Sequence, residues 1–404
     1  MSLDSEQNAL FDMDEYLEWK KHWRGMPEFS QEDLEPWKTL KVHFNNRSDL
    51  QEFSRLVGQN LTDRTQSIWH PEAEIGRMTD KRFVDDPTQL PQKPQFPLYI
   101  ISKGRYDYMH TSRSLSAMRI PHHIVVEASE RELYERAASS YATILVLDKA
   151  YQYAYDTADG IGFFGGLLCA GPARNYAWDH SVKSYGSAWH WVMDDNIDGF
   201  YRLYGNIKTP CLAASFWRAM EDFVLRYENV VMGGPNYFMF ASRKTKMPAM
   251  VFNTRIYSCN LIRNDAPYRW RARHNEDTDL SLRILKDGWC TVQFNALLQM
   301  KLTTQTIPGG NTEAIYDLHG TDEKSNLLAQ LHPDVAEVTE RWGRVHHYVD
   351  YSAFKRNKPR LRAAMEAEDA VDNFGMVLQD KVNGRWVTRT ERDQKHPATT
   401  GSGS

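Results

Sequence analysis

At 404 residues, with 49 basic and 53 acidic side chains and a net charge of −4, the chain is long enough for one main domain of about 200 to 250 residues with appendages. It lacks the global basic field of a protein that lives on nucleic acid, so any polyanion must be met by a local patch. Cys169, Cys211, Cys259 and Cys290 lie far apart with no Cys-x-x-Cys spacing, no long apolar run occurs and the first residues are polar and acidic; a soluble protein of a reducing cytosol is expected, without signal peptide or membrane span.

Residues 1–35 are acidic and aromatic with weak periodicity and read as a loosely docked arm. Residues 38–44 alternate as a half-buried strand. Ser48 stands where it would cap a helix bearing Leu50, Phe53, Leu56 and Val57 at helical spacing, Gly58 marks its end, and residues 65–69 read as a second strand. A small α+β module, β-α-β, is expected over 36–86. The proline-rich stretch 87–97 reads as a linker. From 98 onward, strands over 98–102, 124–127, 144–147 and 189–193 alternate with helices near 108–118, 130–138 and 174–184, which predicts an α/β domain with a parallel, doubly wound sheet over 98–356. A helix over 212–227, a turn at Gly233-Gly234-Pro235, a strand over 237–241, a helix opening at Glu276-Asp277 and ended by Gly288, and a strand over 290–294 follow. Ile307-Pro308-Gly309-Gly310-Asn311 is expected to form a lid or mobile loop. Residues 357–404 read as a polar tail, whose final Gly-Ser-Gly-Ser resembles an artificial linker.

The apolar run 188–193 stops abruptly in Asp194-Asp195-Asn196. The C-terminal end of a buried strand in such a sheet is a place to hold a hard divalent cation against a diphosphate, although the same residues also make an ordinary turn. A second acidic group, Asn275-Glu276-Asp277-Thr278-Asp279, opens a helix further along. Moving a sugar off a nucleoside diphosphate requires neutralisation of the leaving phosphate and, for inversion, a base on the acceptor hydroxyl. Asp194 and Asp195 alternate in direction on an extended backbone, so one faces the nucleotide and the other the metal. Asp194 is assigned to the nucleotide and Asp195, with Asn196 at the turn, to the metal. The helix dipole keeps Glu276 and Asp277 ionised and available, with Asp277 as the candidate base; an ordinary acidic first turn reads the same way. Ser102-Lys103-Gly104-Arg105, directly after the first strand of the domain, and Arg174 are expected to meet the nucleotide. His346 and His347 are candidate metal ligands; adjacent residues on an extended segment point apart, so at most one binds.

Taken in order, Tyr99-Ile100-Ile101-Ser102-Lys103-Gly104-Arg105, Gly171-Pro172-Ala173-Arg174-Asn175, Trp189-His190-Trp191-Val192-Met193-Asp194-Asp195-Asn196, Asn275-Glu276-Asp277-Thr278-Asp279 and Gly343-Arg344-Val345-His346-His347 resemble the TET-associated glycosyltransferases of bacteriophages over roughly 97–356. The resemblance implies a GT-A (Rossmann-like) glycosyltransferase fold, a nucleotide-sugar donor, expected to be a UDP-sugar, and a divalent metal, Mn or Mg. It also implies hexosyl or N-acetylhexosaminyl transfer to 5-hydroxymethylcytosine or a related hydroxymethylpyrimidine in phage DNA, in the cytoplasm of the infected bacterial host. By position, the family's metal motif falls on Asp194-Asp195-Asn196, its acidic helix start on Glu276-Asp277 and its late histidine on His346 or His347. Arg255, Arg263, Arg269, Arg271 and Arg273, interleaved with Tyr257, Tyr268 and Trp270, are either the DNA surface or a salt-bridged face. Two other readings stay open: the same fold acting on a non-DNA acceptor, and a non-catalytic DNA-binding protein.

Overall fold

The computed structural model describes residues 13–71, 80–160, 169–302, 322–341, 344–362 and 373–388. The expected lid at 307–311 and the last residues, 401–404, lie outside them. Helices α1 (Met13–His22) and α2 (Arg47–Val57) come first. Asn46, not Ser48, caps α2: its side-chain oxygen accepts from the Asp49 N–H at 3.1 Å, and Gly58 closes the helix in the left-handed region at φ 67°. The strands expected over 38–44 and 65–69 do not form: among the described residues neither segment joins a ladder. Over residues 36–71 the expected β-α-β unit is thus reduced to one helix that buries none of its residues. The arm is not loose where it is described: Trp23 and Met26 are buried, and the Gln31 amide donates to the carbonyls of Ser242 and Thr245.

After β1 (Lys81–Asp85), the segments β2 (Leu98–Ile101), α3 (His110–Ala117), β3 (His122–Val126), α4 (Arg131–Ala137), β4 (Ala142–Val146), α5 (Lys149–Tyr153), α6 (Gly171–Tyr185) and β5 (Trp189–Asp194) follow the expected alternation. Next come β6 (Ile197–Tyr204), β7 (Ile207–Pro210), α7 (Ser215–Leu225), β8 (Val230–Tyr237), β9 (Met250–Phe252), β10 (Cys259–Arg263), α8 (Glu276–Lys286) and β11 (Cys290–Lys301). The chain closes with α9 (Asp322–Leu331), β12 (Ala336–Arg341), β13 (Arg344–Val349), β14 (Met376–Val382) and β15 (Arg385–Thr388).

Among the described residues the central sheet has ten strands, in the order β4-β3-β2-β5-β10-β8-β11-β6-β7 with β9 on β11. Its first four strands are parallel, as expected of a Rossmann-like α/β fold, and β10, β6, β7 and β9 run antiparallel to their neighbours. Both faces are covered, which is why β5 reads as an unbroken apolar run. Trp191 and Met193 pack with Phe216 and Trp217 of α7, while Val192 points the other way into a core shared with Trp178 of α6 and Leu280 of α8. No helix among the described residues is long and apolar enough to cross a membrane.

Two expected boundaries do not follow the contacts. β1, from the expected module, pairs with β14, from the expected tail, in a three-stranded antiparallel sheet completed by β15. This sheet sits on the main body: the Leu212 N–H donates to the Phe83 carbonyl at 2.8 Å, and Asp85 accepts from the Ala214 N–H at 3.0 Å at the start of α7, where a helix leaves its first N–H groups unpaired. Nor is Gly233-Gly234-Pro235 a turn. It lies inside β8, where β10 passes so close that a Cβ on Gly234 would stand 2.2 Å from the Cys259 carbonyl oxygen. Gly234→Ala is therefore expected to destabilise the protein by about 1–3 kcal/mol, the cost of forcing atoms into a filled core, read as a lowered urea midpoint with an unchanged slope; an unshifted midpoint would remove the close-approach argument.

Candidate active site

β2, β3 and β4 are laid down in one direction across the sheet, and β5 then returns to the other side of β2. The crevice at the C-terminal ends of β2 and β5 is thus a topological switch point, where open α/β sheets bind ligands. Thr111, at the start of α3, pins the turn beyond β5: its hydroxyl donates to the Asp194 carbonyl at 2.7 Å and accepts from the Ile197 N–H at 2.9 Å.

At this turn the two aspartates diverge. One Asp194 oxygen accepts from Arg174 and the other from the Lys301 ammonium, each at 2.7 Å. Burial alone would raise the Asp194 carboxyl, but Lys301 and Arg174 overcome it and hold the group well below the usual carboxylate range. Lys301 also donates to the Ser258 hydroxyl at 2.8 Å, which bonds the Tyr237 hydroxyl at 2.7 Å. Asp195 points toward the loop after β2, accepting from the Ser102 hydroxyl at 2.7 Å and pairing with the Arg105 guanidinium. The Tyr134 hydroxyl closes this group, accepting from the Arg105 N–H at 3.0 Å. Burial raises the Asp195 carboxyl more than Arg105 and Ser102 lower it. Asn196 donates to the Leu302 carbonyl at 3.0 Å, and its buried side-chain oxygen has no hydrogen-bond partner among the described residues.

Arg174 joins the two acidic groups. Buried at the first turn of α6, it lies 2.7 Å from Asp194 and 3.5 Å from Glu276 at the start of α8, with its guanidinium over the Trp270 ring at 4.5 Å. Burial pushes the Glu276 carboxyl up, Arg174 pulls it back and the neighbouring Asp277 charge adds to the rise. Asp277 accepts from the Thr278 N–H at 2.8 Å and lies in the field of Arg255, Tyr257 and Tyr351. Asp279, one turn into the same helix, is fully buried and accepts from Arg283 at 2.8 Å, Arg271 at 3.1 Å and His332 at 2.9 Å. The segment after α9 is thereby fastened to the helix that presents Glu276 and Asp277.

Other expected site residues stand elsewhere. Lys103 faces Glu127 at 3.6 Å. His346 and His347 sit in β13, opposite Thr339 and Val338 of β12, in a hairpin that packs through Ala336 and Val349 on Leu282 and Leu285 of α8. The expected metal set of Asp195, Asn196, His346 and His347 is not assembled, and among the described residues no three His, Cys, Asp or Glu side chains gather in a way that could hold a metal ion. Carboxylates already engaged by guanidinium and ammonium groups do not fit as ligands of a hard divalent cation. The expected DNA-facing arginines are also engaged: Arg263 with Asp265, Arg269 with Asp179, Arg271 with Asp279 and Arg273 with Asp159, while Tyr268 and Trp270 are buried. Sequence reasoning missed Lys301, Ser258, Tyr237 and Thr111. The signal for Lys301 was a lysine closing the run Ala296-Leu297-Leu298-Gln299-Met300, whose strand was expected to stop at 294.

Two outcomes test this arrangement. Arg174→Met leaves Asp194 and Glu276 facing one another without their shared cation and is expected to cost about 3–5 kcal/mol of stability, as for a broken buried pair; a loss under 1 kcal/mol by denaturant titration, about the worth of an exposed pair, would show that Arg174 does not hold the clusters together. Burial would raise the Asp279 carboxyl, but His332 and the two arginines lower it from 3.8 to about 2. A carboxyl depressed in the folded state contributes stability above its unfolded value and loses it as the pH falls through the folded one. Stability should thus fall between pH 3.8 and about 2, and Asp279→Asn should flatten that part of the urea-midpoint profile.

The model of the TET-associated glycosyltransferase family matches residues 96–310, which takes in Ser102, Arg105, Arg174, Asp194, Asp195, Glu276, Asp277 and Lys301 and stops short of His346 and His347. The comparison with curated proteins finds no match. Because the match covers more than half of the chain and contains the whole of the crevice built above, this protein belongs to the TET-associated glycosyltransferase family and is a glycosyltransferase.

Proposed function

We propose that the protein moves a hexosyl or N-acetylhexosaminyl group from a nucleotide sugar, a UDP-sugar, to 5-hydroxymethylcytosine or a related hydroxymethylpyrimidine in phage DNA, within the infected bacterial cell. The observation that carries the donor half of this reading is the convergence of Asp194, Arg174 and the Glu276-Asp277 helix start on one crevice at the switch point. In this reading the loop Ser102-Lys103-Gly104-Arg105 borders the nucleoside, and Asp194 with its cations borders the ribose and diphosphate. The acceptor hydroxyl oxygen bonds to the sugar's anomeric carbon, the bond from that carbon to the phosphate oxygen breaks, and the diphosphate leaves with the electron pair. Asp277 takes the hydroxyl proton. It suits this role better than Glu276, which is held against Arg174. A manganese or magnesium ion was expected from the resemblance; the carboxylates that would hold it are already paired with Arg105, Arg174 and Lys301.

The internal pairing of Arg263, Arg269, Arg271 and Arg273 favours a second reading, in which the same chemistry serves an acceptor other than duplex DNA. Mass spectrometry of nucleosides released from hydroxymethylated DNA, after incubation with a panel of nucleotide sugars, separates the two. A hexose or N-acetylhexosamine mass added to the modified base is expected, and Asp277→Asn should slow its appearance by about 10²–10⁴-fold while donor binding persists. Donor hydrolysis with no sugar on any DNA would establish the second reading.

A further inference from the structure

Lys301 ends β11 inside the crevice, and its ammonium carries three N–H donors, of which Asp194 and Ser258 take two. About a fifth of its side chain is exposed, as is that of Asp194, so the pair forms part of the crevice wall and not of the core. Behind them, Arg174 is buried, and its Nε and one terminal nitrogen have no hydrogen-bond partner among the described residues. Two cations therefore flank one carboxylate of the Asp194-Asp195-Asn196 motif, and Asp195, the residue expected to hold a divalent ion, is itself paired with Arg105. A hard cation would have to compete with them for the Asp194 oxygens.

We propose that Lys301, backed by Arg174, supplies the positive charge that meets the leaving nucleoside diphosphate, so that donor binding and sugar transfer do not depend on a divalent cation. This rests on the nucleotide-sugar reading above. As the bond from the anomeric carbon to the phosphate oxygen breaks, its electron pair stays on that oxygen, and the third Lys301 N–H donates to a diphosphate oxygen whose charge is rising. The ammonium keeps its proton throughout; the acceptor's proton goes to Asp277. Ser258, held by Tyr237, and Asp194 keep the ammonium aimed into the crevice, so Lys301 contacts the phosphate while they position it.

The test measures binding of UDP, GDP, ADP, CDP and dTDP, each against its parent nucleoside, to the full chain in metal-stripped buffer with EDTA, then with added Mn or Mg. Wild-type protein is expected to prefer one diphosphate over its nucleoside in EDTA, and Lys301→Ala to lose roughly 10- to 100-fold of that preference, the worth of one charge-assisted hydrogen bond. Lys301→Arg should restore part of it, and nucleoside affinity should stay unchanged in both. That last readout separates loss of charge from loss of fold. A diphosphate preference that appears only with added metal, or one that survives in Lys301→Ala, overturns the inference while leaving the nucleotide-sugar reading intact. Absence of nucleotide binding under every condition overturns both.

Discussion

The buried guanidinium of Arg174 is the constraint on which the rest of the site depends. A cation only 2% exposed would be prohibitive in a low-dielectric interior without compensating charge. Asp194 and Glu276 supply that charge from two segments distant in sequence, and Trp270 covers the guanidinium plane. The attraction is mutual, because Arg174 favours the ionised form of both carboxylates, with Lys301 adding to the effect at Asp194. One arginine at the first turn of α6 therefore requires the end of β5 and the start of α8 to meet, and the crevice is the result.

From that point the extended backbone divides the labour. Asp194 and Asp195 are consecutive, so their side chains leave opposite sides of the chain. Asp194 faces Arg174 and Lys301; Asp195 faces Ser102 and Arg105 in the loop after β2. The same alternation two residues earlier sends Val192 and Met193 into different cores. Packing of the sheet and direction of the site are thus set by one register.

The carboxyl-terminal elements are braced onto this frame. Asp279 holds His332, and Leu282 and Leu285 of the same helix hold the β12–β13 hairpin, so α8 carries both the acidic start that faces the crevice and the surface on which later elements rest. The β1–β14–β15 sheet does the equivalent at the start of α7, holding the carboxyl-terminal strands to the main body through Phe83 and Asp85 of β1.

By itself the sequence determined the alternating α/β order from β2 to β5, the strand end that delivers Asp194 and Asp195, and the acidic helix start at Glu276. All are written in short windows, as periodicity, an abrupt change of polarity, or residues in a helix's first turn. Only the tertiary structure decided the rest. That β1 pairs with β14, that Gly233-Gly234-Pro235 is strand and not turn, that Lys301 shares Asp194 with Arg174, and that His346 and His347 stand in a separate hairpin all depend on which distant segment lies alongside. The alternation at 38–44 makes the same point in reverse, since this strand pattern joins no ladder among the described residues. Local patterns specify what a segment can become; pairing and charge compensation between remote segments specify what it does.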